Sequence, residues 1–114
     1  MRVDVLYFDG CPNRDRAVRL VRRVLDREGI RAEVRTIKVP DPEAARTLGF
    51  LGSPSIRVNG MDIEDGRHDD PPFFGCRTYS LEGKTTGVPP EPWLVTALEE
   101  ASRLGGIQDA DPHD

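Results

Sequence analysis

The pattern of hydrophobic and polar positions divides the first forty residues into a strand, a helix and a second strand. Residues 3–8 form a mostly apolar run rich in β-branched and aromatic side chains, typical of an inner strand. A helix is predicted from Pro12 to Glu28, where Gly29 is suited to end it. Its apolar residues recur at helical spacing: Ala17, Val18, Val21, Val24 and Leu25. Residues 31–39 alternate and predict a second strand, so this part should form a right-handed βαβ unit with parallel strands.

A short helix and a β-hairpin are predicted next. Asp41 is a suitable N-cap for a helix from Pro42 to about Leu48. Residues 53–63 predict an antiparallel hairpin, because Asn59-Gly60 is the preferred type I′ turn between two apolar arms. Pro54 lies just before the first arm, a position where prolines are often structurally specified and a cis peptide bond can occur.

The second half contains a long connection and a final helix. Residues 64–89 have no clear periodicity, and connections of this length are usually functional or disordered. Aromatic residues flank the second cysteine within residues 73–79, so we expect the connection to be an ordered flap. The last helix is predicted from Pro90 to Leu104, with Gly105-Gly106 ending it. We expect a single domain over residues 1–106 and a mobile acidic tail over residues 107–114.

Cys11 is the first candidate for chemistry. Gly10 permits a tight turn after the first strand, and Pro12 suits the first position of the helix, which predicts Cys11 at the N-cap. There, free backbone N–H groups and the helix dipole would favour the thiolate. The alternative is a buried structural cysteine. Arg14, one turn further on, would either favour the thiolate or face solvent.

Cys76 is the second candidate, with three alternatives. It is an incidental loop cysteine, a resolving thiol for Cys11, or the second ligand with Cys11 for a soft metal ion. The last two require the flap to fold back over the start of the first helix. His68, with two acidic neighbours, is expected to be solvated rather than metal-binding, and Asp9 is expected to form a turn, with proton transfer as its alternative.

Charge and hydropathy exclude several classes of function. Residues 1–40 contain ten Arg and Lys against six Asp and Glu, and residues 41–114 contain six against fourteen. The basic residues lie mainly on one helix without interleaved aromatics, so a solvated arginine face is expected and nucleic-acid binding is not. No apolar run is long enough to span a membrane and no signal peptide is found, which predicts a cytoplasmic protein. Two cysteines there favour catalytic, redox or metal chemistry.

The order of elements, β-α-β-(α)-β-β-α, resembles the thioredoxin fold. Residues 7–13 (YFDGCPN) and 52–60 (GSPSIRVNG) are similar to a bacterial group of small thioredoxin-like proteins. Some of these have selenocysteine at the position of Cys11, and some are described beside, or as, alkylmercury lyases. The resemblance covers roughly residues 2–104. It implies that Cys11 is the nucleophile and faces a cis-proline, Pro54, preceded by Ser53.

One departure from that family limits the mechanism. Thioredoxins have a second cysteine three residues after the first, and Arg14 stands at that position here. A dithiol cycle within this helix is therefore excluded. The cycle must be completed by Cys76 or by an external thiol such as glutathione.

These observations give three hypotheses. The first is a thiol-disulfide oxidoreductase without a cofactor, in which Cys11 and Cys76 are catalytic and Arg14, Ser53 and Pro54 contact the substrate. Its partners would be a thiol or disulfide substrate, glutathione or a partner protein. The second is a soft-metal or organomercurial-processing protein with Cys11 and Cys76 as ligands. The third is a non-catalytic thioredoxin-like module that presents the flap to a partner.

Overall fold

The computed structural model describes residues 1–109, which form a mixed α/β fold with three helices. The elements in chain order are β1 (Arg2–Tyr7), α1 (Arg14–Glu28), β2 (Glu33–Lys38), α2 (Pro42–Leu48), β3 (Ser55–Val58), β4 (Met61–Asp62), β5 (Tyr79–Leu81), β6 (Lys84–Thr86) and α3 (Glu91–Asp109). Within residues 1–109, no helix combines the length and the apolar character needed to cross a bilayer.

The main sheet is mixed and has the strand order β2-β1-β3-β4. β1 pairs in parallel with β2 and antiparallel with β3, and β3 pairs antiparallel with β4. The predicted parallel β1–α1–β2 arrangement is therefore confirmed. The predicted hairpin is also confirmed: Asn59 and Gly60, both at positive φ, join β3 to β4 as a type I′ turn requires.

The alternation along β1 places side chains in two apolar clusters, one on each face of the sheet. Val3 and Val5 belong to the larger cluster, together with the apolar faces of α1 and α3. Leu6 belongs to the smaller cluster, which includes Phe50 and a residue of α2. β1 is thus covered on both faces, which explains why most of its residues are apolar.

α2 and its caps follow the prediction closely. The Asp41 carboxylate accepts a hydrogen bond from the backbone N–H of Ala44 at 2.8 Å, and Pro42 begins the helix. Arg57 on β3 donates to the carbonyls of Leu48 and Gly49 at 2.9 and 2.8 Å. α2 therefore has hydrogen-bond partners at both ends, and its C-terminal end is tied to the sheet.

Two helix boundaries and one connection differ from the prediction. α1 begins at Arg14 rather than at Pro12, as described below. The connection at residues 64–89 contains an unpredicted hairpin, β5–β6, whose turn residues Glu82 and Gly83 have positive φ. α3 continues to Asp109 through Gly105 and Gly106, because glycine weakens a helix by only about 1 kcal/mol per residue and does not forbid it. The rest of the predicted mobile tail, residues 110–114, lies outside the described residues.

Asp4 is a buried carboxylate on β1 with two arginine partners. Arg35, its register partner on β2, donates from Nε at 2.9 Å, and Arg2 donates from Nε at 3.1 Å. Burial by itself would raise the pKa of Asp4, but the hydrogen bonds from Arg35 and Arg2 outweigh it and hold that pKa below its usual value. The ionised carboxylate thus contributes to pairing between β1 and β2.

This gives a pH-dependent contribution to stability. Because the pKa of Asp4 is lowered in the folded state, its contribution is complete above the ordinary value of 3.8 and is lost as pH falls through the folded-state pKa. We expect Asp4→Asn to lower the free energy of urea unfolding at pH 7, and the difference from wild type to shrink progressively below about pH 4. Asp15→Asn, which changes an exposed carboxylate, is the control. A difference that stays constant down to about pH 2 would contradict this assignment.

Candidate functional site

Cys11 lies in a turn between β1 and α1, and not at the N-cap. Its backbone N–H donates to the Phe8 carbonyl at 3.2 Å, and its own carbonyl accepts from the backbone N–H of Arg14 at 3.4 Å. The residues from Cys11 to Arg14 thus close a turn before helical bonding begins. Asn13 is the N-cap, so the predicted N-cap position of Cys11 is wrong by two residues. The thiol is free and the residue is half-buried.

The loop containing Ser53 and Pro54 lies beside the end of β1. The peptide bond between these two residues is cis, and both are buried. The Ser53 hydroxyl accepts a hydrogen bond from the backbone N–H of Phe8 at 3.2 Å. Because the Phe8 carbonyl in turn binds the N–H of Cys11, Phe8 connects this loop to the turn that carries the thiol.

Residues 73–79, here called the Cys76 segment, lie along the other side of Ser53. The Ser53 backbone N–H donates to the Gly75 carbonyl at 2.8 Å, and the Arg77 N–H donates to the Ser53 carbonyl at 2.9 Å. These two bonds form a parallel β-bridge between Ser53 and Cys76. Cys76 itself is exposed and its thiol is free. Ser53 is therefore bonded on one side to Phe8 and on the other to the Cys76 segment.

The Cys76 segment packs closely against the Ser53 loop, through an aromatic ring on one residue and a glycine in the loop. The Phe74 ring centroid lies 5.4 Å from that of Phe8 and 6.4 Å from that of Phe50. Gly52 has a φ of +109°, and a Cβ there would lie 2.9 Å from the Cβ of Arg77. Only glycine fits without displacing the Cys76 segment.

The far end of the flap reaches the start of α1. A Cβ on Gly87 would lie 2.1 Å from the side-chain nitrogen of Asn13, so the two residues are in close contact. Residues 64–89 therefore contact both the N-cap of α1 and the Ser53 loop. The contact with the N-cap is made by Gly87, eleven residues after Cys76, and the Cys76 segment itself lies against the Ser53 loop.

The buried side chain of Arg77 anchors the Cys76 segment to the sheet. Its side chain is 3% exposed and forms a two-pronged ion pair with Asp62, with both N–O distances at 2.8 Å. It also donates to the Ser55 hydroxyl at 2.8 Å and to Glu64 at 3.0 Å. Burial alone would lower the pKa of Arg77, but the hydrogen bond to Asp62 leads the effects that raise it, so the guanidinium is charged at every relevant pH.

Tyr79 adds a second attachment between the Cys76 segment and the cis-proline loop. Its hydroxyl donates to the Pro54 carbonyl at 2.6 Å, and the Arg77 guanidinium lies 4.5 Å from its ring centroid. Burial raises the pKa of Tyr79, which keeps the phenol protonated and able to donate. Nearby, the Ser55 hydroxyl donates to the Gly52 carbonyl at 2.6 Å.

Sequence analysis did not identify Arg77 or Asp62 as site residues. The alternation of buried and exposed residues from Arg77 to Tyr79 is a strand pattern, but an arginine at an inward position does not by itself indicate burial. Its partner Asp62 is fifteen residues away, beyond the reach of any local pattern. The available indication was weak: a lone arginine between aromatic residues and a cysteine.

Three other candidates have defined positions. The Arg14 guanidinium lies 4.7 Å from the centroid of the Tyr7 ring. Asp9 is exposed and pairs with the Lys38 ammonium at 2.7 Å. His68 is half-buried, and its Nδ1 accepts from the Asp62 backbone N–H at 3.4 Å, a contact that the expectation of a solvated side chain omitted. Among residues 1–109, no group of three or more His, Cys, Asp and Glu side chains could hold a metal ion.

Comparison with known proteins gives one family. Residues 13–98, about three quarters of the chain, match the model of a domain of unknown function, DUF2703. The chain belongs to this family. The range matched by the DUF2703 family includes the Ser53 loop and the Cys76 segment, and it begins two residues after Cys11. No curated protein and no solved structure matches the chain.

The buried ion pair predicts a large difference between two arginines of the same flap. Arg77→Leu leaves Asp62 buried without its partner, which should lower the free energy of unfolding by about 3–5 kcal/mol. Arg67→Leu removes only surface ion pairs with Glu64 and Asp70 and should cost less than about 1 kcal/mol. Urea unfolding measures both.

The double variant Arg77→Leu with Asp62→Leu is the second control. It should recover part of the loss, because replacing both charges by apolar side chains removes the uncompensated buried carboxylate. Equal costs for the Arg77 and Arg67 variants would show that the buried pair does not hold the flap.

Proposed function

We propose that the protein is a thiol-dependent redox protein in which Cys11 is the nucleophile and Cys76 or an external thiol completes the cycle. The observation that carries the proposal is the position of Ser53. It is bonded on one side to Phe8, which leads to the Cys11 turn, and on the other to the Cys76 segment. The two segments that carry the free thiols are thus both hydrogen-bonded to one short loop, the Cys11 turn through Phe8 and the Cys76 segment directly.

We also propose that the fold is thioredoxin-like. Its support is the strand order β2-β1-β3-β4, with β1 and β2 parallel and the other neighbours antiparallel. A cis-proline loop beside the turn that joins β1 to α1 adds to this support. In this proposal Ser53 and Pro54 form one wall of the substrate site, and Arg14, which lies over Tyr7, contributes a positive charge near it.

The proposed reaction needs no cofactor. The Cys11 thiolate attacks one sulfur of a substrate disulfide, the S–S bond breaks, and the leaving thiolate takes up a proton. The Cys76 thiolate then attacks the Cys11 sulfur of the mixed disulfide and releases the second substrate thiol. The substrate gains two electrons and two protons, and the protein is left with a Cys11–Cys76 disulfide. When an external thiol attacks the substrate sulfur of the mixed disulfide instead, it forms a disulfide with that sulfur. Cys11 is then released as a free thiol.

The environments of the two thiols suit these separate roles. Cys11 is half-buried in the turn between β1 and α1, while Cys76 is exposed on the flap. An exposed second thiol is accessible to an external reductant such as glutathione or a partner protein. We propose such a thiol partner in a reducing, cytoplasmic compartment.

The soft-metal alternative uses the same two thiols and has less support. Residues 1–109 offer no group of three potential ligands, so a metal bound by Cys11 and Cys76 would have two thiolate ligands only. Cleavage of an organomercurial would also need a proton donor, and the candidate Asp9 is held in an ion pair with Lys38. The redox proposal requires neither feature.

Intact-mass analysis under non-reducing conditions tests the redox proposal. Treatment with a small disulfide should remove two hydrogens from the wild-type protein, and neither Cys11→Ser nor Cys76→Ser should show this loss. Cys76→Ser should instead accumulate a mixed disulfide on Cys11. Reduced Cys11 should also be alkylated faster than free cysteine at neutral pH.

The same variants separate the alternatives. If Cys11 is alkylated no faster than free cysteine, the redox proposal is wrong. A tight one-to-one mercuric-ion complex, lost in either serine variant and without any disulfide chemistry, would favour the metal alternative. Full partner binding by both serine variants, again without disulfide chemistry, would favour a non-catalytic module.

A further inference from the structure

We propose that the protein acts on small-molecule disulfides and excludes disulfides in extended polypeptides, with Arg77 as the positioning residue that sets this selectivity. The inference rests on the proposed function, because it names the substrate class of the Cys11 site. Its basis is that the chain's own Cys76 segment occupies the backbone edge of the Ser53 loop, which is joined to the Cys11 turn through Phe8.

One common way in which an extended peptide binds to a protein is by main-chain hydrogen bonds to an open backbone edge. The Ser53 loop, which Phe8 connects to the Cys11 turn, is such an edge. The Ser53 N–H already donates to Gly75, and the Ser53 carbonyl already accepts from Arg77. On its other side, the Phe8 N–H donates to the Ser53 hydroxyl. The loop therefore offers an incoming strand neither its Ser53 donor nor its Ser53 acceptor.

The Cys76 segment is held against the Ser53 loop by several further contacts. Arg77 is buried in its ion pair with Asp62, and the Tyr79 hydroxyl binds the Pro54 carbonyl. At the other end of the segment, the backbone N–H of Phe73 donates to the Phe50 carbonyl at 2.7 Å. An extended peptide would have to displace main-chain bonds and a buried, charged side chain before it could pair with Ser53. That requirement slows reaction of Cys11 with a peptide disulfide.

A small disulfide has no such requirement. It needs access to the Cys11 sulfur and a leaving thiol that can depart, and it makes no ladder of backbone bonds. Cys11 is a half-buried residue, and a small molecule meets less steric hindrance at such a residue than a chain that continues on both sides of its disulfide. The Cys76 segment thus has two effects: it carries the second thiol and it closes the peptide-binding edge.

Two matched substrates test the inference. Both are mixed disulfides with the same small leaving thiol: one contains N-acetylcysteine amide, and the other contains a central cysteine in an extended peptide of about ten residues. Rapid mixing and mass analysis give the rate at which reduced Cys11 reacts with each. The wild-type protein should react with the small disulfide at least about tenfold faster than with the peptide.

Three variants identify the determinant. Arg77→Lys weakens the two-pronged pair with Asp62, and Phe74→Ala removes the ring packed against Phe8 and Phe50, so both should raise the ratio of peptide rate to small-disulfide rate several-fold. Both variants should also speed hydrogen exchange at the backbone amide of residue 77. A general loss of stability would instead speed exchange at amides throughout the fold. Arg67→Lys, on the same flap but on its surface, should change neither measurement.

Each outcome bears on a different statement. Equal wild-type rates for the two substrates would overturn the selectivity while leaving the redox proposal intact. Faster exchange at Arg77 without a change in the rate ratio would overturn the role of the Cys76 segment. No reaction of Cys11 with either disulfide would overturn the proposed function itself. Phe74→Ala keeps the test available if Arg77→Lys fails to fold, because Phe74 is partly exposed and makes no ionic contact.

Discussion

The ion pair between Arg77 and Asp62 is the constraint on which the candidate site depends. Both charges are buried, and each is costly to bury alone, so each side chain can be inside only where the other is. Such a pair adds little net stability compared with apolar side chains, but removing either charge alone leaves the other buried without compensation. Asp62 lies on β4, the last strand of the main sheet, and Arg77 lies in the long connection that follows. Their pairing determines where that connection returns to the sheet.

The return of the connection brings three chain segments to one end of the molecule. The end of β1, the cis-proline loop and the Cys76 segment lie side by side, joined through Ser53. Two parts of the flap make the flanking contacts: Phe74, near its middle, packs on Phe8, and Gly87, near its end, packs on Asn13. The same contacts that bring Cys76 to the Ser53 loop also cover its backbone edge. Positioning of the second thiol and restriction of the substrate are therefore consequences of one packing arrangement.

The correct predictions rest on interactions within a few residues. Asn59-Gly60 specifies a type I′ turn by its backbone preferences, and Asp41-Pro42 specifies the start of α2 by a cap and a fixed φ. The errors arise where two local structures compete. Cys11-Pro12 is compatible with a helix start, but a turn closes first and moves the N-cap to Asn13. β5–β6 was missed because Glu82 is not a residue that usually indicates a left-handed turn position.

By itself, the sequence determined the order of the helices and of strands β1 to β4, the turn between β3 and β4, and the choice of Cys11 and Cys76 as candidates, because periodicity, caps and residue chemistry are local properties. Only the tertiary structure decided that the flap returns to the Ser53 loop and that Arg77 is buried there. The reason is physical: a charged side chain is stable inside only with a partner, and its partners Asp62, Ser55 and Glu64 lie thirteen or more residues away along the chain. No pattern within the flap encodes that arrangement.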